Sequence, residues 1–370
     1  AFSLTITVTD GEANATQAIT VNVTDDPADN PITLDKLSPE LRDLLDGNGT
    51  IEQALPAGSV IAVHHGDPAP VGYTLFQRNE YNATLTWEEK APISISRYGF
   101  DGAEVINGKI YFSGVRNYTF EGAKILERYD PTSNQWETLS PMSKTRYAMS
   151  AAVLEGKYYA IGGDLNRTIE IYDPATNTWS FGAPTPIPID HSAAIGFLGK
   201  IYLVGGTSNN GSDKLFAFDP ATNQWSSKAD KTIEAFGVSL LSFRNRLWAI
   251  SGGGVESYDP STDSWRVEAQ MVAPRNFTAA WTSNDRIYAA GGRLHQSNPP
   301  MTSSIEVYDP NTNPWSQVGD LPDARDVADA AIVDGKVYVI GGADGVGYTG
   351  KVFAADLPPP ASDLYFRDGN

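Results

Sequence analysis

Four arginines, Arg97, Arg146, Arg275 and Arg325, each stand ten residues after a tryptophan: Trp87, Trp136, Trp265 and Trp315. A guanidinium stays charged and presents a planar fork of donors that matches a carboxylate. Such a series is either a cationic site for an anionic ligand or a recurring structural tie to strand-end carbonyls. The tie is the favoured reading, and the ligand site stays open. Histidine is scarce: His64, His65, His191 and His295. His64-His65-Gly66-Asp67 offers metal donors, but no further ligand stands at suitable spacing, which favours a structural role. With no cysteine in 370 residues, thiol catalysis, thiolate metal sites and disulfides are excluded.

Those residues sit in a chain of 45 acidic and 27 basic side chains, net −18. An acidic surface repels phosphate backbones, so nucleic acid is not an expected partner. No apolar run is long enough to span a bilayer, and no signal peptide opens the chain. Ala1 falls inside strand-like sequence, so the chain reads as a processed or cropped piece. Acidity without disulfides is expected of a bacterial extracellular or cell-surface protein.

The elements that must position these groups recur. Short apolar runs end at Ser113-Gly114, Gly162-Gly163, Gly205-Gly206, Gly252-Gly253, Gly291-Gly292 and Gly341-Gly342, and tryptophans follow at 136, 179, 225, 265 and 315. The fullest copy runs from Lys157 to Gly163, then Ile171-Tyr172-Asp173-Pro174, then Asn177-Thr178-Trp179. A repeat of roughly 40–50 residues built from short strands predicts a β-propeller, one four-stranded blade per repeat. The sixth repeat lacks its tryptophan while Trp87 precedes the first, so Trp87 is predicted to supply the last blade's outer strand and close the ring.

These motifs resemble kelch repeats, and the resemblance covers about Asn82 to Leu357. The expected fold is all-β: a six-bladed kelch-type propeller with an N-terminal β-hairpin and linker. The resemblance places the residues opening each first strand at one mouth of the channel, here assigned to Arg97, Arg146, His191, Phe236, Arg275 and Arg325. In binding members of the family, arginines at this mouth grip acidic peptides. Ligand binding by Arg97, Arg146, His191, Arg275 and Arg325 is the corresponding expectation. The long loop from Arg293 to Ser304 is a second candidate contact surface.

Residues 1–26 alternate, with Leu4, Ile6 and Val8 before the Asp10-Gly11 turn and Ile19, Val21 and Val23 after it, which predicts a β-hairpin. The segment resembles the last strands of a bacterial cadherin-like or immunoglobulin-like domain. Residues 27–56 read as an acidic linker with a short helix over 34–45, opened by Ser38-Pro39-Glu40. Asp25, Asp26, Asp29 and Asn30 resemble the calcium-binding linker after cadherin repeats, which makes calcium the cofactor to consider; the competing reading is a solvated acidic linker. Asp46 to Ile51 resembles the middle of an EF-hand loop, with a plain turn favoured. Residues 57–81, including Gly58 to Gly66 and Pro70-Val71-Gly72-Tyr73, resemble a phage tail-collar motif, and 358–370 read as a C-terminal tail.

Two strands cannot bury a core alone, so the hairpin is expected to join other strands, its apolar residues forming an assembly strand. The expected function is an extracellular structural or adhesive protein, not an enzyme. Its propeller would be an interaction body, and its N-terminal β segment would join it to copies of itself, as a homo-oligomer or filament, or to other surface proteins. The kelch resemblance also implies an alternative, a sialic-acid-mutarotase-like or other ligand-binding protein acting on anionic sugars; glycan binding is a third. Kelch-type copper oxidases need a cysteine, which this chain lacks.

Overall fold

A computed structural model describes residues 85–97, 102–114, 124–163, 167–206, 213–234, 237–294, 300–310 and 312–358, together with strands at 2–9, 16–23, 60–64, 73–78 and 362–367. The linker with Asp25, Asp26, Asp29 and Asn30, the helix expected over 34–45, the turn at 46–51, His65, Asp67, Phe236 and His295 lie outside the described residues. The chain divides into two compact units, Ala83–Leu357 and Ala1–Asn82 with Pro358–Asn370.

Within the larger unit each repeat forms one antiparallel four-stranded sheet. Blade one comprises Ala103–Ile106, Lys109–Ser113, Leu126–Asp130 and Gln135–Thr138. Blades two to five follow the same order, from Ser150 to Gly182, Ser192 to Ser227, Ser239 to Val267 and Ala279 to Asp320. Blade six takes Asp329–Val333, Lys336–Ile340 and Val352–Asp356, and its outer strand is Trp87–Lys90, with Ala355 opposite Trp87. The first strands of neighbouring blades touch all the way round, from blade one to six and back to one. This is the six-bladed propeller expected from the repeat, closed where the unpaired tryptophan predicted.

The core lies between blades rather than at a single centre. Tyr158, Ala160 and Tyr172 of blade two pack with Ile106, Tyr111 and Leu126 of blade one. Tyr129 and Phe112 of blade one likewise pack with Tyr338 and Ile340 of blade six. Second strands are buried on both faces, which is why they read as unbroken apolar runs.

The tryptophan at the first or second residue of each outer strand is a latch across each seam. The indoles of Trp136, Trp179, Trp225, Trp265 and Trp315 donate to the carbonyls of Ala91, Ser140, Ala183, Ala229 and Ala269 in the preceding blade, at 2.7–3.1 Å. Trp87 donates to Asp320 O at 3.1 Å, so the borrowed strand makes the same bond. The amides of Ala91, Ser140 and Ala183 donate back to Asn134, Asn177 and Asn223. Those asparagines hold φ of +53°, a conformation that Asn tolerates better than most residues.

In the smaller unit, Phe2–Thr9 and Thr16–Val23 pair antiparallel, with Leu4 opposite Val21 and Ile6 opposite Ile19. A separate three-stranded sheet has Ser362–Arg367 at its centre, flanked by Val60–His64 and Tyr73–Arg78. The segment expected as a tail thus contains the middle strand of a sheet. No helix among the described residues is long and apolar enough to cross a membrane.

Candidate functional site at the channel mouth

The four arginines are 0–1% exposed, and each points into its own blade. Arg146 donates to Gly162 O at 2.6 Å, Thr168 O at 2.9 Å and Glu170 at 3.0 Å. Arg97 pairs with Glu127, while Arg275 reaches Ser304 Oγ at 2.6 Å and Glu306 at 3.3 Å. Arg325 donates to Gly341 O at 3.0 Å and pairs with Asp323, its guanidinium lying 4.5 Å from the Phe353 ring centre. Of the two sequence readings, the geometry supports the tie to strand-end carbonyls.

The carboxylate partners are residues that sequence reasoning passed over. Glu127, Glu170, Glu256 and Glu306 are buried, and each stands two residues before the Tyr of its Tyr-Asp-Pro. They also accept the backbone amides that lead into the first strand of the same blade. Ser143 and Lys144 donate to Glu170, Thr232 and Ile233 to Glu256, and Val272 and Ala273 to Glu306. Burial works to raise the Glu170 carboxyl, but the Ser143 bonds and the Arg146 charge outweigh it and the net shift is downward. In blade four the cation is Lys231, 3.3 Å from Glu256, lowered by burial against the pull of that carboxylate. The periodic Glu was the available signal, although blades three and six carry Phe216 and Phe353 at its place.

His191 does not belong to the arginine series. The amides of Gly163, Gly292 and Gly342 donate to the carbonyls of Ile189, Arg325 and Arg97 at 2.9, 2.7 and 3.2 Å, so Ile189 is the blade-three equivalent. It also stands ten residues after Trp179, the spacing that defines the series. This close approach explains the Gly-Gly pair: a Cβ on Gly162, Gly291 or Gly341 would lie 2.5 Å from the same carbonyls.

His191 sits two residues further on, with Ala148, Gly237, Phe277 and Val327, all at φ between +49° and +62°. These residues stitch the mouth. His191 N donates to Ala148 O, Gly237 N to His191 O, Phe277 N to Gly237 O and Val327 N to Phe277 O, at 2.9–3.3 Å. The His191 ring meets Tyr147 edge-on at 5.3 Å, and its Nδ1 lies 3.2 Å from Asp190. Beneath lies a cavity of ≈ 40 Å³ lined by His191, Ser192, Ser239, Phe277, Thr278 and Asp329 among others. That volume suits a few waters rather than a sugar ring.

Asp329 accepts the Ala103 amide of blade one at 2.6 Å, a carboxylate across the closing seam. Burial raises it to about 6. Glu104, next to Ala103 on the innermost strand, is pushed up to about 8 by burial and by the Asp329 charge. Both carboxyls are held above their ordinary values, the direction in which acid–base chemistry near neutral pH is tuned. Among the described residues no group of three or more His, Asp or Glu is placed to hold a metal ion. Asn276 is 5% exposed and accepts the Gly252 amide, so its side chain is occupied within the fold.

A model of the Kelch motif matches residues 145–186, 191–232 and 274–322, the stretches forming blades two, three and five. Those three blades match the Kelch motif. The chain is 30% identical to Kelch-like protein 26 of Danio rerio over 243 residues, 64% of this chain and 34% of that one. It is 34% identical to an F-box/kelch-repeat protein of Arabidopsis thaliana over 91 residues, 24% of each. These matches span about a quarter to a third of the curated relatives' length. The solved structure of YjhT superposes with a TM-score of 0.63 at 16% identity, covering 74% of this chain and 99% of that one, a likeness of fold.

Proposed function

We propose that this chain is the interaction body of an extracellular structural or adhesive assembly. The kelch propeller binds a protein partner through the loop face at the channel mouth, and the smaller unit joins it to further copies or domains. One observation carries this reading: the polar residues that recur from blade to blade are engaged inside the ring. The arginines hold strand-end carbonyls and carboxylates, and the tryptophans latch the seams. What remains for recognition is a rigid platform with variable loops. The acidic composition suits an exterior location. The relatives' shared kelch repeats support a binding role, since such repeats generally mediate protein–protein contact.

A second reading, turnover or binding of anionic sugars at the mouth, draws on Glu104 and Asp329, whose carboxyls burial raises above their ordinary values. It is weakened because the four guanidiniums that would hold the sugar carboxylate are buried, and because Asp190 and Asp329 add negative charge there. Electron microscopy and light scattering of the full chain, with and without residues 1–29, test the assembly half. Concentration-dependent oligomers are expected, and a monomer at every concentration would refute it. Mutarotation of sialic acid followed by NMR tests the second reading, and no rate above background is expected.

A further inference from the structure

The three-stranded sheet of the smaller unit has an unusual origin for its strands. Val60–His64 and Tyr73–Arg78 are joined by the residues 65–72, yet they do not pair with each other. Between them lies Ser362–Arg367, which pairs antiparallel with both: Ala62 faces Leu364 on one side, and Asp363 faces Arg78 on the other. Two strands close in sequence thus frame a slot one strand wide. Every ladder bond in that sheet depends on a segment from beyond the propeller. Without it, Val60–His64 and Tyr73–Arg78 would expose facing edges, which recruit a strand from whatever chain offers one.

The connector to this middle strand is Pro358-Pro359-Pro360-Ala361, directly after Leu357. Proline fixes φ, and proline-rich connectors act as semi-rigid spacers. Exchange of an identical strand between copies preserves every sheet contact, and only connector strain and the entropy of association decide between cis and trans.

We propose that Ser362–Arg367 is an exchangeable donor strand, which fills the slot between Val60–His64 and Tyr73–Arg78 of a second copy. This rests on the self-assembly half of the proposed function and assigns it to a specific strand and slot. A donor at one site and an acceptor at another make a head-to-tail contact, which propagates into a filament unless it closes into a ring.

Because the chain has no cysteine, the register supplies a clean test. Ala62 and Leu364 are directly opposed, and opposed strand residues fall within reach of a disulfide. Two differently tagged full-length chains, Ala62→Cys and Leu364→Cys, are coexpressed, purified under mild oxidation and run without reductant. A covalent dimer carrying both tags is expected, with a ladder from the double variant Ala62→Cys/Leu364→Cys. No mixed dimer, with the double variant closing only within single chains, would overturn the proposal. If circular dichroism shows either single variant unfolded, Val60→Cys with Phe366→Cys repeats the test at another register position. Oligomers that form without mixed cross-links defeat this strand assignment alone, whereas a chain monomeric by light scattering defeats the assembly reading itself.

Discussion

At the residue scale, the arginine–glutamate pair is the unit of chemistry, and it serves the blade. Removing one partner of a buried pair leaves a charge without compensation, typically costing about 3–5 kcal/mol. Arg146→Met is therefore expected to destabilise the propeller by an amount in that range, read from guanidinium chloride unfolding. Blade three has dispensed with the pair, carrying Ile189 and Phe216 at the two positions. Transplanting that solution, as Arg146→Ile with Glu170→Phe, should restore more than half of the stability lost by Arg146→Ile alone. An additive double variant would show that the two side chains do not act as a pair.

Element-scale behaviour centres on the innermost strands of blades one and six, where Asp329 and Glu104 face one seam. Both folded-state values lie above the ordinary ones, from 3.8 to about 6 and from 4.5 to about 8. The folded protein therefore holds these protons more tightly than the unfolded chain does. Their linkage favours folding at low pH, and it is lost as pH rises from about 4 through 6 for Asp329 and from about 4.5 through 8 for Glu104. Glu104→Gln removes one titration. The expected result is a Tm that falls less between pH 5 and pH 8 in the variant than in the parent. Equal falls would place the pH dependence elsewhere.

For the whole molecule, closure is the decisive property. Blade six is completed by a strand whose Trp87 pairs with Ala355, from the opposite end of the propeller sequence, and Trp87 then latches it to blade five. Trp87→Phe keeps an aromatic ring and removes one hydrogen bond across the seam, a loss of about 1–2 kcal/mol. Trp225→Phe makes the same chemical change at an internal seam. Calorimetry is expected to show a similar Tm decrease for both, with the Trp87 variant alone gaining susceptibility to limited proteolysis near residues 85–97. Equal protection of the two variants would mean that the borrowed strand is held by the other ladder bonds.

The sequence by itself determined the all-β class, the number of blades, the order of strands and the identity of the closing strand. All of these are written in local periodicity: apolar runs for doubly buried strands, Gly-Gly where a neighbouring carbonyl crowds in, a tryptophan at each seam. A repeat states such rules six times, so single departures such as Phe218 for Tyr do not obscure them. Tertiary structure decided which groups meet. It assigned the arginines to carbonyls and carboxylates of their own blades, and it moved the blade-three equivalent from His191 to Ile189. It also brought Asp329 to Ala103 and set 362–367 between two strands nearly 300 residues away. The physical reason is that strand torsions and burial are set by nearby residues, whereas a donor's partner is fixed only once distant segments have docked.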